Sequence, residues 1–253
     1  MSEPIVWLLD DTKSVSAIAQ DPTTNADLMG SHPIVAWVVG SAEPVVPPGW
    51  DATLALDANS LREVGQDVAD APADGATAIL YDSENWSYTP LIEQETPAAS
   101  IAHAASLAHS AGLQFIAAPA PDLMKVADPL GSGTEFDKYL AMDIPQAVAA
   151  SGADVYVIQA QVLETNPAKF AAFVHECAVA ARAVNPGIEI LAALSTQPDG
   201  QNVTAAKLEQ CVSLTQGDVA GYWMFIPSPG PWAPNTKEFL PGIARQVIDH
   251  FKG

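Results

Sequence analysis

The hydrophobic residues of this chain fall into short, almost unbroken runs at residues 5–9, 33–39, 52–56, 77–81, 113–118, 155–161, 188–194 and 219–226. Runs of that length without polar alternation suit strands buried on both faces, as a parallel sheet requires. Between most of them, at 60–69, 98–110, 137–150, 167–184 and 204–215, apolar residues recur at three- and four-residue spacings, and residues 236–251 repeat that pattern after the last run. That spacing predicts amphipathic helices. Gly112, Gly152, Gly187 and Gly217 each stand between a helix and the next strand, where a left-handed position favours glycine, and Asn166-Pro167 supplies a helix cap followed by a first-turn proline.

A strand, helix, glycine, strand rhythm specifies right-handed βαβ units, and about eight strands predict an α/β fold, a single-domain (β/α)8 TIM barrel spanning residues 1–253. The beginning is least regular, because residues 21–30 and 42–50 hold Pro, Asn and Gly and give only short or irregular helices. A doubly wound open sheet is the alternative. The G-x-G-x-x-G turn it would use for a dinucleotide is missing, and Gly131-Ser-Gly133 reads as a plain loop.

Composition narrows the function classes. Of 253 residues, 49% are hydrophobic and 16% charged, which argues for a folded core, and no apolar stretch approaches the roughly 18 residues of a membrane span. Ten Lys+Arg against 30 Asp+Glu leave a formal charge of -20, which repels nucleic acid and anionic lipid surfaces. The expected partner is a small molecule or an oligosaccharide, with no nucleic acid and no membrane; the oligomeric state stays open. The N-terminus has no secretory leader, so the expectation is a cytoplasmic protein, or a secreted one whose leader has been removed. Cys177 and Cys211 fall inside predicted helices and read as buried thiols, with a single bridge as the alternative.

Barrel enzymes carry their chemistry at the C-terminal ends of the strands. The residues closing the runs are Asp10, Asp11, Gly40, Asp57, Asp82, Glu84, Trp86, Pro119, Pro121, Asp122, Gln159, Gln161, Glu164, Ser195, Thr196, Trp223, Phe225 and Pro227. Acids, amides and aromatics dominate this set, a composition that suits sugars: rings stack on pyranose faces while carboxylates and amides grip hydroxyls. In a continued strand, Asp82, Glu84 and Trp86 would project to one face about 7 Å apart. Two acids in one sheltered site cannot both ionise cheaply, so Glu84 is expected to hold a proton and serve as general acid, with Asp82 as its partner. Trp86, Gln159, Gln161, Trp223, Asp10, Asp57 and the loop residue Trp232 are the candidate substrate-binding residues, whereas Trp7 and Trp37 read as core. The five histidines fall on helices or before a strand, which suits neither a Ser-His-Asp nor a Cys-His hydrolase. No cofactor and no metal are expected. An all-oxygen cation site of Asp10, Asp57, Asp82 and Glu84 is the alternative.

The chain resembles the family 18 glycoside hydrolases, the chitinases and their non-catalytic relatives. Asp82-Ser-Glu84 ends the fourth predicted strand, Phe115-Ile-Ala-Ala-Pro119 forms the fifth, Gln159-Ala-Gln161 closes the sixth and Trp223 lies on the eighth. The resemblance implies a (β/α)8 barrel in which Glu84 protonates the glycosidic oxygen, Asp82 orients a substrate acetamido group that is itself the nucleophile, Gln159 bonds the sugar and Trp223 stacks beneath it. Where the family motif has two earlier aspartates this chain has Thr77 and Leu80, and where the sixth strand has Tyr it has Gln161. Two further functions fit the same residues: a non-catalytic carbohydrate-binding barrel, and an acid-catalysed lyase, isomerase or cyclase of small-molecule metabolism.

Overall fold

A computed structural model describes residues 4–39, 41, 45–230 and 233–251. Eight parallel strands close into a barrel in sequence order: β1 Val6–Asp10, β2 Ile34–Trp37, β3 Thr53–Ala58, β4 Ala78–Tyr81, β5 Gln114–Ala117, β6 Val155–Ile158, β7 Glu189–Ser195 and β8 Gly221–Phe225. Each strand lies within or against one of the eight apolar runs, and the predicted (β/α)8 fold is the fold observed. Among the described residues the helices are α1 Thr12–Ala19, α2 Pro22–Leu28, α3 Leu61–Asp74, α4 Leu91–Glu95, α5 Pro97–Ser110, α6 Met124–Ala127, α7 Glu135–Ala141, α8 Ile144–Ala150, α9 Pro167–Val184, α10 Ala205–Thr215 and α11 Pro241–His250. None is long and apolar enough to cross a membrane.

The residues gather into two compact units, one of residues 1–53, 160–172 and 191–253, the other of residues 54–159 and 173–190. In the first, β1 pairs with β2 and β8, and β7 with β8, in registers that set Leu8 beside Ile34 and Trp223, and Ser195 beside Phe225. Trp7 packs on Tyr222 at 5.7 Å, and the Tyr222 hydroxyl donates to the Val212 carbonyl of α10 at 3.1 Å. These two rings therefore face the helix layer. Leu8, Asp10 and Trp223, one residue out of phase, face inward. Gly221 is required where β8 meets β1, because a Cβ there would collide with the Val6 backbone.

In the second unit β3, β4, β5 and β6 pair in order, with Asp57 beside Leu80 and Ala117 beside Tyr156. The Tyr81 hydroxyl donates to Glu93 of α4 at 2.8 Å, and the hydroxyls of Tyr156 and Tyr139 meet at 2.9 Å. Tyr81 and Tyr156 thus point to the helices, which turns Asp57, Leu80 and Val157 inward. Cys177 and Cys211 are both buried free thiols.

Local chemistry explains where the elements differ from the sequence pattern. The single helix expected over 137–150 is two, α7 and α8, broken at Asp143, whose φ is 54°, just before Pro145. The last helix begins at Pro241 instead of residue 236, because proline fits a first helical turn but not an interior. Gly112 and Gly152 adopt the expected left-handed backbone, at φ 75° and 83°, whereas Gly187 and Gly217 do not. Asn166 does cap α9, its Oδ1 accepting the Lys169 N–H at 3.3 Å.

Strand β7 shows how a buried acid can serve the scaffold. The Thr196 N–H donates to Phe225 of β8, so the preceding N–H, that of Ser195, points to the other side of the strand. It is met there by Oε1 of Glu164 at 2.6 Å. Burial pushes the fully buried Glu164 carboxyl well above its ordinary value, against the pull of that N–H. Replacing Glu164 by Gln, which keeps the acceptor, is expected to cost little, whereas Glu164→Leu strands the Ser195 N–H and should lower stability by about 1–3 kcal/mol. Thermal unfolding of the two variants checks this; equal melting temperatures would contradict the role.

Candidate active site

The second unit carries the acids at the ends of β3, β4 and β5. Strand β4 ends at Tyr81, and the next residues continue extended far enough to leave the Asp82 N–H on the Ala58 carbonyl at 2.9 Å. Asp82 is buried, and its Oδ1 accepts from Nε2 of Gln159 at 2.6 Å. The same Nε2 donates to the Ala118 carbonyl at 2.7 Å, and Gln159 also hydrogen-bonds the Glu84 carboxyl. One amide just past β6 therefore ties both acids to the end of β5. This brings Asp82, Glu84 and Gln159 together.

Glu84 owes its environment to burial first. Burial pushes its carboxyl up to about 7, and the negative charge of Asp122 adds to that; the Gln159 hydrogen bond and the Lys125 ammonium oppose it. The sequence reading expected Asp82 to supply the neighbouring charge. Asp122, on the turn after β5, supplies it instead. Asp57, on β3, is also pushed up to about 7, by burial and then by Asp67, Glu84 and Glu63. Its Oδ1 is buried with no hydrogen-bond partner among the described residues. At neutral pH Glu84 and Asp57 thus sit near half-protonation.

Beyond Glu84 the chain turns, so strand alternation no longer governs Trp86. The Trp86 N–H closes on the Glu84 carbonyl at 2.9 Å, its Nε1 donates to Thr89 Oγ1 at 3.0 Å, and its ring meets Tyr88 edge-on at 5.2 Å. The Glu84 N–H also donates to Thr89 Oγ1, at 3.2 Å, and Thr89 in turn donates to the Asn59 carbonyl at 2.9 Å. Asn85 is held from two sides. Its N–H donates to Asp122 Oδ1 at 2.9 Å and its Nδ2 to Gln94 Oε1 at 2.6 Å, while Gln94 Nε2 donates to the carbonyls of Trp86 and Thr89. The loop bearing Glu84 is a preorganised hydrogen-bonded turn. Sequence reading singled out neither Gln94 nor Thr89, which lie past the strand end with no chemical signature.

Gln161 departs from expectation. Strand β6 ends at Ile158, and Gln161 opens a 3-10 turn, Gln161–Thr165, in the first unit, so it does not share an inward face with Gln159 by strand alternation. Also in the first unit, Asp10 closes β1 on the inward face, and Trp223 is buried on β8 with its ring 6.1 Å from Phe225 and its Nε1 without a hydrogen-bond partner among the described residues. Trp232 lies outside the described residues. Among the described residues no group of three His, Cys, Asp or Glu side chains is arranged to hold a metal ion.

No protein-family model matches the chain, and no curated protein matches it in sequence. Solved structures do. A class V chitinase from Pseudomonas fluorescens is similar over 97% of this chain and 99% of that one, at 11% identity and a TM-score of 0.53. A structure described as a lyase/mutase, from Burkholderia cenocepacia, is similar over 89% of this chain and 77% of that one, at 12% identity and a TM-score of 0.50. At such identities both likenesses speak to the TIM-barrel fold alone.

The buried acids give the protein a signed pH dependence. Asp57, Asp67 and Glu84 titrate at about 7 when folded, and at the ordinary carboxyl value, about 4, when unfolded. Between those values the folded state binds more protons, so stability is fully present below about pH 4 and is lost as pH rises through 7. Asp21 and Asp137, held below the carboxyl range by backbone N–H donors, act oppositely but only at more acid pH. The melting temperature is expected to fall by about 5 °C between pH 5 and pH 8. Asp57→Asn should flatten that profile; a flat or rising profile in the unsubstituted protein would contradict the burial of these acids.

Proposed function

We propose that this protein is a general-acid enzyme acting on a glycosidic or related bond of a small carbohydrate ligand, with Glu84 as proton donor, Asp82 as its partner and Gln159 holding the pair. The observation that carries the reading is the shared Gln159 amide, which fixes two strand-end acids while burial keeps one of them at about 7. A carboxyl at that value is protonated often enough to donate at neutral pH and, once ionised, basic enough to take a proton back from water. The Asp82-Ser-Glu84 spacing at the end of the fourth strand and the presence of a class V chitinase among proteins of this fold support the glycoside reading. Trp86 and Asp57, in the same unit as Glu84, are proposed to line the ligand, and no metal or cofactor enters the reaction as proposed.

A second reading has its own observation. Leu80 stands one inward step behind Asp82 where the chitinase motif has an aspartate, and Gln161 has left the sixth strand where the family has a tyrosine. The groups that would handle an acetamido nucleophile are thus altered while the proton donor is kept. That combination favours acid catalysis on a different small molecule, as in a lyase, isomerase or cyclase.

Glu84→Gln keeps the size and hydrogen-bonding capacity of the side chain and removes its proton. It is expected to lower turnover by about 10²–10⁴ while leaving ligand affinity, and the melting temperature at pH 5 where the Glu84 carboxyl is protonated, near those of the unsubstituted protein; like Asp57→Asn it flattens the fall at higher pH. The assay is product release from chitooligosaccharides and from aryl glycosides of the common hexoses. Undiminished turnover in Glu84→Gln would sink the proposal, and release from none of these glycosides would transfer it to the second reading.

A further inference from the structure

We infer that Asp122 is the positioning residue for Glu84: it clamps the Glu84 loop through the Asn85 N–H and sets a negative charge near the Glu84 carboxyl. The inference rests on the reading of Glu84 as proton donor and deepens it.

The geometry begins one strand away from Glu84. After β5 the chain makes a 3-10 turn, Pro121–Leu123, that runs directly into α6. The turn is pinned to the β4 loop by the Ala120 N–H, which donates to the Ser83 carbonyl at 2.9 Å. Two residues on, Asp122 Oδ1 accepts the Asn85 N–H at 2.9 Å. Glu84 is flanked on both sides by backbone groups tied to the same turn, so its backbone is held between fixed points. Asp122 spends a carboxylate on a bond that any neutral acceptor would satisfy. Its charge is what an asparagine would lack.

That charge acts on Glu84 inside a defined set of neighbours. Asp122 and Lys125 face it from the turn and α6, Asp57 from β3, and Gln159 hydrogen-bonds it from the end of β6. Lys125 stands 3.8 Å from Asp122 and 3.4 Å from Glu135 of α7, so the one ammonium in the set is shared between two carboxylates. The net field on Glu84 is therefore negative. A negative field keeps the proton on the acid, and Lys125 tempers it.

The test needs no substrate, so its failure is distinct from failure of the proposed activity. The Glu84 carboxyl is titrated by carbon-13 NMR in the whole protein, and amide exchange at Asn85 is followed alongside. Asp122→Asn keeps the acceptor and removes the charge: the pH at which Glu84 gives up its proton is expected to fall by about 1, with Asn85 exchange unchanged. Asp122→Ala removes both, so the same fall is expected together with at least about tenfold faster Asn85 exchange. Lys125→Met should move the Glu84 midpoint upward. An unmoved midpoint in Asp122→Asn, or Asn85 exchange no faster in Asp122→Ala, overturns the inference. If Asp122→Ala does not fold, the titration of Asp122→Asn decides alone.

Discussion

Everything at the candidate site depends on one side-chain amide. Gln159 stands just beyond the end of β6, where it meets a carboxylate from the end of β4, a second carboxyl two residues further on and a main-chain carbonyl at the end of β5. A buried carboxylate without a donor costs several kcal/mol or takes up a proton. By giving Asp82 a 2.6 Å hydrogen bond, Gln159 satisfies one of the two acids. Glu84 shares the same amide and lies near Asp122, and burial and that charge together raise its carboxyl to about 7. The two carboxyls have different surroundings, although the sequence gives them almost the same setting.

The composition makes such solutions necessary across the molecule. With 30 acids and ten Lys+Arg, most carboxylates must find partners other than cations. The structure meets this with backbone N–H groups. Asp11 accepts from Ser14 and Asp21 from Thr23 at helix starts, Asp154 accepts from Phe115 at a strand start, and Asp122 accepts from Asn85 in the loop. These bonds hold strand–helix junctions in register. At the ends of the strands the shortage of cations leaves burial to raise the carboxyls of Asp57 and Glu84 to about 7.

What the sequence revealed and what it concealed divide along the range of the interactions. The eight strands were readable because doubly buried strands must be apolar throughout, and Asn166-Pro167 announced the start of α9 because caps are local. The break at Asp143 was concealed by an unbroken apolar spacing. So were the ends of β4 and β6, where alternation suggested that Trp86 and Gln161 stay in phase with their strands; hydrogen bonds with residues 3 and 8 positions on, or a turn, take them out of phase. Asp82, Glu84 and Gln159 stood out as polar residues closing apolar runs. The influence of Asp122 on Glu84 joins positions 37 to 38 residues apart and has no local signature.

A carboxyl pushed to about 7 is not by itself a mark of catalysis, and this molecule shows why. Asp67 reaches the same value as Glu84. It lies on α3 among Glu63, Asp70 and Asp74, where burial and like charges one or two turns away account for the whole effect. Nothing in that helix orients the Asp67 carboxyl toward a ligand, and its elevation is a cost carried by the scaffold. Glu84 differs in three physical respects: it sits beyond a strand's C-terminal end, its loop is fixed from two directions by Asp122 and Thr89, and its carboxyl shares a donor with a second acid. Perturbation joined to preorganisation is what distinguishes the surroundings of Glu84 from those of Asp67, and it is why the proposed proton donor is Glu84.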